Sequence, residues 1–114
     1  MGREKVGVTG MSRDALITLG ALIRIARVER GWTQRHLGGV IRASERTITL
    51  IERGEPSVSA GHLFNAAVAV GVPLFQIDNR EELARMRHRG EEKVGLIPKR
   101  VAEPERISDD RLDF

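Results

Sequence analysis

The chain contains no cysteine and no tyrosine, and its aromatic residues are one tryptophan and three phenylalanines. Without thiols there is no disulfide framework, no thiolate zinc site and no cysteine nucleophile, and the redox state of the compartment is of no consequence. With so few rings the core has to be small and aliphatic, built from Leu, Ile, Val and Ala. Long apolar runs are missing too. Charges interrupt MGREKVGVTGMSRD, and no later stretch approaches the roughly 18 apolar residues of a membrane span. A cytoplasmic protein with no membrane partner is therefore expected. His36, His62 and His88 show no ligand spacing, and Asp109-Asp110 reads as a solvated acidic tail. No Ser/His/Asp arrangement or phosphate-cradling glycine loop is visible, so no metal, no cofactor and no enzymatic activity is expected.

What is present is a 114-residue chain, long enough for one domain with a modest core and a tail. Its net charge of +3 is unevenly distributed. Residues 1–56 carry ten Arg/Lys against six Asp/Glu, whereas residues 81–114 carry eight against nine. The basic excess lies in the first half and points to a polyanionic partner there, although a solvated face accounts for so small an excess equally well.

Helical periodicity begins after Ser12, with Leu16, Leu19, Leu22, Ile23 and Ala26 on one face, and ends at Gly31. Thr33 suits the N-cap of a short second helix with Leu37 and Val40 as its buried pair. Ser44 caps a third, held to the core by Ile48 and Ile51 and stopped by Gly54. Ser59 caps a fourth with Leu63, Ala66, Ala67 and Val70 on one side, ended by Gly71. Pro73 suits the first turn of a fifth helix through Leu74, Phe75 and Ile77, although VPLFQI is short enough to be a strand. EELARMRHRGEE has the propensity of a sixth helix, and from about Lys93 the prolines and charge density predict an extended tail.

Two short helices a few residues apart, each behind a hydroxyl cap, have the layout of a helix-turn-helix, whose second helix enters the DNA major groove. That layout explains the composition of SERTITLIERG at 44–54. Ile48 and Ile51 face the core, leaving Glu45, Arg46, Thr49 and Leu50 on the protruding side.

The run LGALIRIARVERGWTQRHLGGVIRASERTITLIERGEPSVSAGHLFNAAVAVGV resembles the phage-repressor-type helix-turn-helix domain of the XRE, or Cro/C1, family over about Leu19 to Ile77, roughly half the chain. The resemblance implies an all-α, five-helix domain followed by a C-terminal helix and a flexible tail. It divides the chain into an N-terminal arm (1–11), a DNA-binding domain (12–78) and a C-terminal helix with extended tail (79–114). It also implies that Thr33, Gln34, Ser44 and Arg53 meet phosphates and that Glu45, Arg46 and Leu50, with Thr49 beside them, face bases. Arg46 can fork onto a guanine edge, Glu45 can accept from a cytosine amine, and Leu50 or the Thr49 methyl can touch a thymine methyl. Arg27 and Glu52 match a pair that joins helices one and three. Two positions depart from the pattern: Gly38 stands where the family usually has alanine, and Arg42 where it usually has glycine.

The chain continues past Asp78, and the EELARM helix, VGLIPKRV and the acidic end resemble antitoxins of the HipB kind. The resemblance implies a homodimer that binds a palindromic operator on double-stranded DNA, represses its own operon and holds a HipA-like kinase toxin. Leu63, Val70, Leu74 and Phe75 offer a dimer surface, and Leu96, Ile97 and Phe114 offer apolar anchors for a partner in the tail. A stand-alone regulator without a toxin and a helical protein-interaction module are the competing readings.

Overall fold

The computed structural model describes residues 6–100, together with 102 and 112. Residues 1–5, Asp109, Asp110 and Phe114 lie outside the described residues. Among those described there are five helices and no named strand: α1 (Gly10–Glu29), α2 (Gln34–Ile41), α3 (Glu45–Arg53), α4 (Ala60–Val70) and α5 (Arg80–Gly95). The fold class is all-α.

Each of the five helices starts at a polar cap. Thr9, Thr33, Ser44, Ser59 and Asn79 each accept, through the side chain, the backbone N–H three residues ahead. Such a bond satisfies an amide that the helix itself leaves without a partner, and contributes about 1 kcal/mol. For α1 the cap is Thr9 rather than Ser12, so the helix starts at Gly10, ahead of the expected position, and Ser12 lies inside its first turn.

α1 to α4 enclose a core in which Ile23, Leu37, Ile48 and Ile51 are fully buried and are joined by Ala66, Ala67 and Val70. Burial of each large aliphatic side chain is worth about 1.5–3 kcal/mol. Two residues expected inside are not. Leu22 is 48% exposed and Val40 50% exposed. Leu22 is turned a full residue step away from Ile23, while Leu37 and Ile41, four apart, take the core face of α2 and rotate Val40 outward.

Helix contact depends on two glycines. A Cβ at Gly20 would collide with the carbonyl oxygen of Ile51 and lie 2.9 Å from that of Glu52, so α1 and α3 meet backbone to backbone. At Gly38 a Cβ would sit 2.7 Å from the carbonyl oxygen of Ala43. The Gly38 carbonyl accepts from the N–H groups of both Arg42 and Ala43, closing α2 with Arg42 in the left-handed conformation at φ 58°. Arg42 thus adopts the backbone for which glycine is better suited.

No helix forms at 73–77. Leu74 and Ile77 exchange both backbone hydrogen bonds, at 3.1 and 2.9 Å, around Phe75 and Gln76, which both have positive φ. This is a two-residue hairpin turn of the kind that needs two left-handed residues. Burial of Ile77, the half-burial of Leu74 against the core and the edge-on contact of Phe75 with Phe64 offset that backbone cost, about 1–3 kcal/mol per residue. Among the described residues four helices, not five, therefore precede the C-terminal one. α5 is longer than EELARMRHRGEE and contains Lys93, so the chain leaves the helix at Leu96. It buries no residue, and its side-chain contacts one turn apart, the Arg87–Glu91 ion pair and the His88–Glu92 contact, are solvent-exposed.

Candidate nucleic-acid interface

α3 is fixed from three sides. Thr47, Ile48 and Ile51 are buried beneath it. Its C-terminal turn rests on Gly20, and Gly54 beyond it packs onto the backbone of Leu16 and Ile17. At its N-terminus Ser44 accepts from Thr47 N–H, and the two hydroxyls lie 2.9 Å apart.

A continuous polar relay ties α3 to the rest of the motif. Arg27 of α1 forks onto Glu52, with Nε to Oε2 at 2.6 Å and Nη2 to Oε1 at 3.1 Å, and its Nη1 donates to the Trp32 carbonyl at 2.7 Å. The side chains are 10% and 3% exposed, so the pair is sequestered from water. Gln34 Nε2 also donates to Glu52 Oε1, at 3.1 Å. Gln34 Oε1 in turn accepts from the Thr49 hydroxyl, at 3.0 Å, and Thr49 is within reach of the Glu45 carbonyl, at 3.2 Å. Among the described residues no buried side-chain nitrogen or oxygen is left without a partner. α1 and α2 therefore converge on the one carboxylate that α3 carries, with the Trp32 turn tied in through the Arg27 guanidinium, and the Arg–carboxylate contact has the bidentate geometry that makes such pairs strong.

Outside this relay the motif is basic. Arg35, Arg42, Arg46 and Arg53 are all exposed, and none pairs with a carboxylate among the described residues. Glu45 is exposed in the first turn of α3, while Thr49 and Leu50 are half-buried. Thr33 and Ser44, both exposed, use their hydroxyl oxygens as caps. A capping hydroxyl keeps its hydrogen, so Thr33 can still donate to a phosphate oxygen, and Ser44 can do so when Thr47 is the donor of the hydroxyl pair they form. Gln34 is more committed than the sequence indicates, since its amide works inward and keeps one N–H.

The remaining expected positions divide. Val70 is 3% exposed within the chain itself, in the core beside Ala66 and Ala67, and cannot belong to a surface between protomers. Leu63 and Leu74 are half-buried against that core, and Phe75 is 69% exposed. Phe64 and Val68, absent from the expected set, are exposed on α4 next to them. Leu96 and Ile97 are exposed beyond α5.

Sequence reasoning also missed Gly20 and Arg30. Arg30 Nε donates to the Val70 carbonyl at 3.1 Å while its guanidinium lies over the Trp32 ring, joining the ends of α1 and α4. For Gly20 the available signal was a glycine inside a helix, a choice that costs about 1 kcal/mol relative to alanine and so calls for a packing reason.

Two short capped helices, the second locked to the core with its outer side unpaired and basic, define a helix-turn-helix protein. The helix-turn-helix domain family matches residues 18–79, more than half of the chain, and the chain belongs to that family. It carries a DNA-binding domain. No curated protein matches it. Among solved structures, the clp gene regulator ClgR from Corynebacterium glutamicum is similar, at 25% identity over 69% of this chain and 84% of that one, with a TM-score of 0.46. Among the described residues no helix is long and apolar enough to cross a membrane, and no cluster of three metal-ligating side chains occurs.

Proposed function

We propose that the chain is a homodimeric, sequence-specific transcriptional repressor, and that it serves as the antitoxin of a HipA-like kinase toxin whose operon it represses. The observation that carries the DNA-reading part is α3 itself, fastened by the Arg27–Glu52–Gln34 relay while Arg46 and Glu45 stay exposed and unpaired. A single module of this size contacts few base pairs, and a two-fold dimer reads two half-sites about one helical turn apart. Phe64, Val68 and Phe75, with the half-buried Leu63 and Leu74 beside them, supply apolar surface for that pairing. The antitoxin role is supported by the resemblance to HipB-type chains and by α5, which buries nothing and leads to exposed Leu96 and Ile97.

Two experiments test the reading. Footprinting of the purified full chain on the DNA upstream of its own gene is expected to show a symmetric protected site. Co-purification from the native operon is expected to bring down a kinase-like protein, and a chain ending at Gly95 is expected to recover less of it. Equal recovery by the two chains would take the tail out of partner binding, and no co-purifying kinase would leave a stand-alone regulator.

A further inference from the structure

We propose that Gln34 is a positioning residue for base reading: by holding the Thr49 hydroxyl, it makes Thr49 read the C5-methyl group of a pyrimidine in the major groove, thymine or 5-methylcytosine. The inference deepens, and rests on, the reading of α3 as the recognition helix.

Both oxygens of Glu52 accept from the Arg27 fork, so that carboxylate is fixed as an acceptor. The group of Gln34 that faces it must be the donor, and Nε2 does face it, at 3.1 Å. The amide is planar, so its oxygen has to point the other way, toward Thr49. A carbonyl oxygen cannot donate, and therefore Thr49 must, at 3.0 Å. The hydroxyl has one hydrogen, and its two acceptors, Gln34 Oε1 and the Glu45 carbonyl, are both protein atoms. None remains for guanine O6 or N7, adenine N7 or thymine O4. A β-branched side chain in a helix has few rotamers; with its hydrogen held by Gln34 the side chain can offer a base its methyl, or an oxygen lone pair to an adenine or cytosine amine, and with the oxygen turned toward Gln34 the methyl is the group assigned to the base. The apolar feature of the major groove is the C5-methyl of thymine, which 5-methylcytosine shares and uracil and cytosine lack.

The test uses the full chain and the duplex it selects from a randomised pool. Deoxyuridine is substituted for thymidine one position at a time, and 5-methylcytosine is then placed there in comparison with cytosine. At one position in each half-site the wild type is expected to lose about 4-fold in affinity on loss of the methyl. Thr49→Val, which keeps a methyl and lacks the hydroxyl, should retain that ratio, whereas Thr49→Ser should abolish it. Gln34→Met, which keeps the length but not the acceptor, should lower the ratio in the wild-type background and leave it unchanged in the Thr49→Val background. The opposite pattern, with Ser retaining the ratio and Val losing it, would show that the hydroxyl reads the base. A uniform loss of affinity by Gln34→Met with the ratio intact would make Gln34 a phosphate contact. A selected duplex with no C5-methyl dependence overturns this inference alone, whereas failure to select any sequence overturns the DNA-reading assignment beneath it.

Discussion

Gly20 in α1 lies directly against the carbonyl of Ile51 in α3, with no room for a side chain between the two backbones. Gly20→Ala would gain helix propensity, about 1 kcal/mol, yet must push α3 away from the core. Because overpacking of this kind costs about 1–3 kcal/mol and the obstruction is backbone, the net effect is expected to be destabilising. A lower urea midpoint with an unchanged slope is the result to look for. A raised midpoint would show that the helices separate at little cost.

Glu52 is the junction of the relay, and the carboxylate is nearly all hidden. Glu52→Ala leaves the Arg27 guanidinium buried without its partner, a change that costs about 3–5 kcal/mol. Glu52→Gln keeps the shape and one acceptor and is expected to fall between that variant and the wild type. Chemical denaturation measures both. A loss of about 1 kcal/mol or less for the alanine variant is what an exposed pair would give.

Arg46 and Arg53 are both exposed, one in the first turn of α3 and one in the last. Arg46→Ala is expected to relax base preference at one position of each half-site, by about 1–3 kcal/mol. Arg53→Ala should weaken binding to all duplexes alike and reduce the slope of log affinity against log salt by about 1. Titrations at several salt concentrations, on the selected duplex and on a scrambled one, separate the two effects. Identical behaviour of the two variants would contradict the division between base and phosphate contacts.

Arg42 closes α2 at φ 58°. An L-residue pays about 1–2 kcal/mol for that conformation and glycine does not. Arg42→Gly is therefore expected to stabilise the fold by about 1 kcal/mol, partly offset by the freedom glycine gains in the unfolded chain. It also removes an unpaired positive charge from the motif, so affinity for DNA should fall as the thermal midpoint rises. A variant that is destabilised would mean that the arginine side chain contributes to the turn.

What could be read in the sequence was chiefly local. The caps at Thr33, Ser44 and Ser59 and the stop at Gly54 are properties of a few consecutive residues, and the structure has each of them. Leu74 and Ile77 were ambiguous because a spacing of three suits a helix face as well as the two arms of a tight turn. Phe75 and Gln76 carry none of the Gly or Asn signal that marks such a turn. Val70 was apolar on α4 and could face either way until the packing of Ala66 and Ala67 fixed the rotation of that helix. The inward hydrogen bonds of Gln34 were illegible for a different reason. They join residues 15 and 18 positions away, and polar residues on a short helix give no sign of which neighbour will take them.

One consequence of the relay concerns the nucleic acid rather than the protein. Because α1, α2 and α3 meet at a single carboxylate, with the Trp32 turn tied in through Arg27, a swing of the recognition helix to suit a poorly shaped groove would break these hydrogen bonds. Any mismatch in curvature has to be absorbed by the duplex. Flexible pyrimidine–purine steps between the half-sites would lower that elastic cost, and stiff A-tracts there would raise it. Selection among operators can then act through bases that no side chain touches.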